Sequence, residues 1–171
     1  MENIDLYKVM EIMDSINYGW IDVNNKIHLN TTIDIQKLYR LSAIEEILKN
    51  KIGICFDQVE LERYFFREHY KTSSYAIFTN HMVHSFLVLE KNDQFIYFEH
   101  SSFNNKGIYI FNNINDLLGY VVNCFIRDHR IKNIDKIKLV NYPEIKPMTT
   151  FDEIKEILLK GEEKEIKKAK I

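Results

Sequence analysis

The stretch from His84 to Ser101 leaves a chain of this kind few ways to fold. His84-Ser85-Phe86-Leu87-Val88-Leu89 and Phe95-Ile96-Tyr97-Phe98-Glu99 are rich in aromatic and aliphatic residues and flank Lys91-Asn92-Asp93. That is the pattern of two antiparallel strands joined by a tight turn. Side chains alternate between the two faces of a strand, so the position of the turn decides which residues meet. With Lys91-Asn92 as the turn, His84 lies directly opposite Glu99. With Asn92-Asp93 as the turn, His84 faces Ser101 and Glu99 becomes its same-face diagonal neighbour, still within reach of an imidazole. Both registers put His84 and Glu99 on one face and send His100 to the other, with Ile96 and Phe98.

Upstream, Lys51-Ile52-Gly53-Ile54-Cys55-Phe56-Asp57 closes one helical pattern with a glycine and opens another with a cysteine. The thiol of Cys55 is thereby predicted in the first turn of a helix, where unpaired N–H groups and the positive end of the macrodipole stabilise a thiolate. A thiolate nucleophile needs a base to take its proton and a third group to hold that base. His84 and Glu99 are the candidates. Asp57, in the same first turn, is read as an acid complementing the helix dipole.

The ordered set of Gly53-Ile54-Cys55-Phe56-Asp57 opening a helix, a histidine starting a strand and an acid ending the next strand resembles the transglutaminase-like cysteine enzymes of the papain-like superfamily. The resemblance spans Leu41 to Ser101. It implies an α+β fold with helices packed on an antiparallel sheet and the nucleophile at the start of a central helix. It also implies Cys55 as nucleophile, His84 as general base and acid, and Glu99 as the orienting carboxylate. Where the family usually has Asp followed by Pro, this chain reads Glu99-His100-Ser101. Family members use an indole N–H upstream of the nucleophile to help hold the oxyanion, which makes Trp20, the only tryptophan, a candidate donor beside the Cys55 backbone N–H. The implied activity is thioester-forming acyl transfer on a peptide or protein substrate, ending in hydrolysis or transamidation. The alternative is an inactive member that keeps the groove to bind a peptide or protein partner.

With 171 residues, 46% of them hydrophobic, the chain is expected to form one domain over residues 1–171, with 161–171 as a charged tail. A net charge of −2 supplies no basic footprint for nucleic acid. No apolar run approaches membrane-spanning length, and the acidic start Met1-Glu2-Asn3-Ile4-Asp5 is unlike a secretory signal. Cys55 and Cys124 form no disulfide framework or zinc signature and fit a reducing cytoplasm. The wealth of Ile, Lys and Asn against alanine only at 43, 76 and 169 suggests an AT-rich bacterial or phage genome. His81 and His84 stand three apart but lack partners at metal-ligand spacing, so neither metal nor cofactor is expected.

Along the chain, Asn3 is expected to cap a helix running to about Ser15. Tyr18 to Leu29 is read as a short hairpin turning at Asn24-Asn25, with His28 packing or at the surface. Ile33–Leu41 and Ser42–Asn50 are read as helices, the second opened by a Ser42-Ala43-Ile44-Glu45 capping box. The helix from Cys55 to about Tyr70 is apolar on more than one side and is therefore expected to be buried. Strands are expected at 74–78, 107–111 and 136–140. Helices are expected over 114–130, with Cys124 on its apolar face as a core thiol, and over 151–160 behind a Thr150–Glu153 box. The segment 162–168 is expected as a solvated helix or frayed end.

Overall fold

The computed structural model describes residues 4–29 and 34–166. In chain order these form α1 (Leu6–Met13), a hairpin of β1 (Trp20–Ile21) and β2 (Ile27–His28), α2 (Ile35–Leu38), α3 (Ile44–Asn50) and α4 (Cys55–Phe66). Then come β3 (Lys71–Phe78), β4 (Val83–Lys91), β5 (Gln94–Glu99), β6 (Gly107–Phe111), α5 (Ile114–His129), a 3-10 turn at Ile134–Lys136, β7 (Lys138–Tyr142), α6 (Phe151–Leu159) and β8 (Glu162–Glu163). The fold is α+β. Six strands make one antiparallel sheet in the order β6-β5-β4-β3-β7-β8.

The β4–β5 hairpin turns at Asn92-Asp93, whose φ values of 52° and 59° are those a two-residue primed turn requires. Lys91 pairs with Gln94 and Leu87 with Phe98, the second of the two registers above. The pleat then sorts the core into two layers. Leu87, Leu89, Ile96 and Phe98 pack against Val59, Leu61 and Phe66 of α4, while Phe86, Val88 and Tyr97 pack against Leu117, Val121 and Phe125 of α5. By alternation His84 and Glu99 belong to the α5 face. Both stand at strand ends, and there His84 comes close to the first residue of α4.

Helix α4 is buried over most of its length: Asp57, Gln58, Glu60, Glu62 and Arg63 are covered along with Cys55, Phe56, Val59, Leu61 and Phe66, and only Tyr64 is exposed. Its buried charges are paired where they join other segments. Arg63 Nε donates to Glu60 Oε2 at 2.9 Å, its guanidinium also meets Ser74 of β3, and Glu60 Oε1 accepts the Ile145 N–H at 3.2 Å. Among the described residues no helix is long and apolar enough to cross a membrane.

Several boundaries differ from the sequence expectation, some set by a local cap and others by a long-range partner that outbids local propensity. Asn3 and Ile33 lie outside the described residues. Asp5 is the cap of α1, its carboxylate accepting the Tyr7 N–H at 2.9 Å. The helix read over 33–41 is only α2, because Tyr39 and Arg40 bridge to Asp22 and Thr150. At α3 the cap is Ala43, whose N–H is met by Glu46 at 3.0 Å, while the Ser42 N–H goes to Asp57 at 2.9 Å. The charged tail begins as a strand: Glu162 and Glu163 pair with Asn141 and Val140, and the Lys164 N–H reaches the Leu139 carbonyl at 2.8 Å. The open edge of β7 offers backbone partners that no local pattern reveals. Lys167 and Lys168 lie outside the described residues.

Candidate active site

Cys55 owes its position to three segments that hold the loop before it. The Ile54 N–H, which α4 leaves unpaired, donates to Asp57 Oδ2 at 3.0 Å. Gln58 Nε2 donates to the Gly53 carbonyl at 2.9 Å, and its Oε1 meets His100 Nδ1 at 2.8 Å. From the other side Asn17 is stitched on by backbone, its N–H donating to Lys51 O at 2.8 Å and its carbonyl accepting the Gly53 N–H at 3.1 Å. These approaches demand glycine. A Cβ on Gly53 would stand 2.8 Å from Asp57 Cβ, and one on Gly19 would stand 2.5 Å from the His28 carbonyl oxygen. Asp57 is therefore a structural clamp as well as a first-turn acid; burial pushes its carboxyl up to about 7, against the pull of the Ser42 and Ile54 N–H groups.

His84 bridges the other two predicted residues. Its Nε2 lies 2.7 Å from Glu99 Oε2, and Cys55 is close enough to favour the charged ring. Burial works against the imidazolium, but the Glu99 carboxylate and Cys55 outweigh it and raise the ring to about 10. Glu99 is 2% exposed and saturated with donors. Besides His84 it accepts the Tyr97 hydroxyl, the Ser101 hydroxyl at 3.1 Å and the Ser102 N–H at 2.8 Å. Burial alone would favour its neutral form, yet His84 and these donors hold it below the usual carboxylate range. His100 points to the opposite layer, as the alternation requires, where its Nε2 stands 3.2 Å from Asp14.

Cys55, His84 and Glu99 are thus brought together. Trp20 is fully buried in the same core cluster as Cys55, its ring stacked on His28 at 4.2 Å. Beside this hairpin Tyr18 lines the cavity at His84, and the neighbouring Cys55 and burial raise its hydroxyl above the ordinary tyrosine range. Sequence reading passed over Tyr18; its position just before Gly19 and the hairpin was the available signal. Glu62 was also missed. It is buried, and burial followed by the like charge of Glu99 pushes its carboxyl well above the usual range.

A cavity of about 180 Å³ adjoins the site, lined among others by Tyr18, His84, Ser101, Ser102, Cys124 and Asp128. Cys124 is buried with the apolar residues of α5, as expected of a core thiol, and it also lines this cavity. Asn105 fastens the loop after β5 to α5, donating to Ser102 Oγ at 3.0 Å and to Asp128. His81 is exposed, and among the described residues no group of three or more His, Cys, Asp and Glu converges to hold a metal ion. Chemically, the cluster joins a helix-start thiol to an imidazole that stays protonated across neutral pH and to a buried, donor-saturated carboxylate. Comparison with protein-family models, with curated proteins and with solved structures finds no match for this chain.

Proposed function

We propose that the protein is a cysteine-dependent acyl-transfer enzyme of transglutaminase-like type, acting on a peptide or amide bond. The observation that carries this reading is the pairing of His84 with Glu99 at 2.7 Å beside a helix-start cysteine, Cys55, that acts on the same ring. The order of the three residues, at a helix start, a strand start and the end of the next strand, supports the papain-like assignment. In the reaction the thiolate attacks the carbonyl carbon, forming the C–S bond while the carbonyl π pair moves to oxygen. Collapse then expels the amine, which takes the proton from His84 and leaves a thioester on Cys55. Water or an acceptor amine, deprotonated by His84, attacks the thioester and regenerates the thiol. Glutamate serves where the family has aspartate because His84 and Glu99 are diagonal neighbours in this register, a longer span than a direct pair. The unpaired state of both cysteines supports a reducing, cytoplasmic setting.

The rival reading, a binding module without chemistry, draws on the burial of Cys55, which is only 3% exposed. One measurement separates the two. Cys124 is 4% exposed and lines the cavity beside His84, so faster alkylation of Cys55 by iodoacetamide reports chemistry rather than access. Cys55 is expected to label at least about tenfold faster at neutral pH, as a thiolate–imidazolium pair should. It is also expected to take up an acetyl group from p-nitrophenyl acetate, an uptake abolished in Cys55→Ala. Equal labelling and no acetylation would sink the enzyme reading in favour of the binding module.

A further inference from the structure

We infer that the Tyr18 hydroxyl is the second donor of the oxyanion site, acting with the Cys55 backbone N–H on the oxygen that becomes negative during thiolate attack. The inference rests on the acyl-transfer reading above. An oxyanion site needs preorganised donors around the point where charge develops, within hydrogen-bond length of the position that the attacked carbonyl's oxygen will occupy. In a cysteine nucleophile at a helix start that point lies beside the sulfur, against the nucleophile's own N–H. Tyr18 lines the cavity beside His84, its neighbour Asn17 is bonded to the loop before Cys55, and Cys55 acts on its hydroxyl more strongly than any other group.

The placement is built rather than incidental. Asn17, the residue before Tyr18, is held by two backbone hydrogen bonds to the strip leading into Cys55, at 2.8 Å to Lys51 and 3.1 Å to Gly53. Gly19, the residue after it, lets the chain close to where even a methyl group would strike the Ile52 side chain at 2.6 Å. Tyr18 is thus pinned on both sides against the nucleophile loop, while its ring, 46% exposed, keeps an outer face free. The phenol also lines the cavity that holds His84. The charge on Cys55 and burial raise the hydroxyl above the ordinary tyrosine value, so it remains a proton donor throughout the pH range in which a thiol enzyme works.

In the reaction the carbonyl oxygen settles against the Cys55 N–H and the Tyr18 hydroxyl donates to it. As the C–S bond forms, the displaced π pair becomes an oxyanion bonded by both donors. When it collapses, the C=O bond is restored, the C–N bond breaks and the amine leaves with the His84 proton. Tyr18 donates a hydrogen bond throughout and transfers nothing.

Alkylation and acylation separate this role from others, because iodoacetamide reacts at a methylene carbon and develops no carbonyl oxyanion. In Tyr18→Phe the rate of Cys55 acetylation by p-nitrophenyl acetate is expected to fall about 100-fold, the loss typical of one oxyanion donor. The iodoacetamide rate should stay within about threefold of the parent, since the thiolate–imidazolium pair is intact. An unchanged acetylation rate would refute the assignment. So would a rise in both rates, which would make the tyrosine only a cover, or an equal fall in both, which would place its effect on the thiol. Should the parent itself fail to acetylate at Cys55, the enzyme reading fails first and this role with it. The melting temperature of Tyr18→Phe, compared with the parent, confirms that the variant is folded.

Discussion

At the scale of single residues, the carboxylate of Glu99 favours the charged form of His84. With burial opposing the imidazolium, the Glu99 charge and Cys55 are what bring the ring to about 10. Glu99→Gln removes the charge and sets an amide against the Tyr97, Ser101 and Ser102 donors. The His84 ring, followed by NMR, should then titrate lower by more than about one unit, as expected when an adjacent opposite charge is lost. Cys55 alkylation at neutral pH should slow in parallel. The same variant should lose about 1–3 kcal/mol of stability, because donors that had a buried carboxylate are left with a poorer partner. A His84 titration that superimposes on the parent's would reduce Glu99 to a strand-end acid. The pairing of His84 with Glu99 was legible in the sequence because a two-residue turn leaves few registers and alternation keeps both residues on one face in each. Tyr18 was not legible, since nothing local tells a chain that Asn17 will be bonded to Lys51 and Gly53.

At the scale of elements, the start of α4 is a knot whose tightness depends on the absence of one side chain. Gly53→Ala would bring a methyl to 2.8 Å from Asp57 Cβ, and the clamp from Asp57 to Ile54 and Ser42 would have to loosen. A cost of about 1–3 kcal/mol in urea denaturation is expected for such overpacking, together with slower Cys55 alkylation because the thiol leaves its helix-start position. Wild-type values of both would show that the loop relaxes freely. Elements whose signal is periodic, such as α4, α5 and the β4–β5 hairpin, could be read from the sequence with small errors at their ends. Elements that exist by virtue of a distant partner could not. Glu162 and Glu163 have poor strand propensity and form β8 because β7 offers an edge. Tyr39 and Arg40 leave a helical pattern because Asp22 and Thr150 bond their backbones.

At the scale of the whole molecule, the charged histidine ties stability to pH in a defined direction. His84 is raised from 6.5 to about 10 on folding, so its contribution is fully present below the unfolded value and is lost as pH climbs through the folded one. The melting temperature of the parent should therefore fall more between pH 7 and pH 10 than that of His84→Gln, measured under the same buffers. Parallel curves would mean that the ring is neutral in the fold at pH 7. The clamping of Asn17 to Lys51 and Gly53 has a consequence in time as well as in space. Cys55 leaves the ribosome ahead of His84 and Glu99, and β3 finds its second neighbour, β7, only after Tyr142 has been made. A nascent chain thus carries the Cys55 thiol before His84, Glu99 and a finished sheet exist around it, and the three residues are locked together only once β7 has been made.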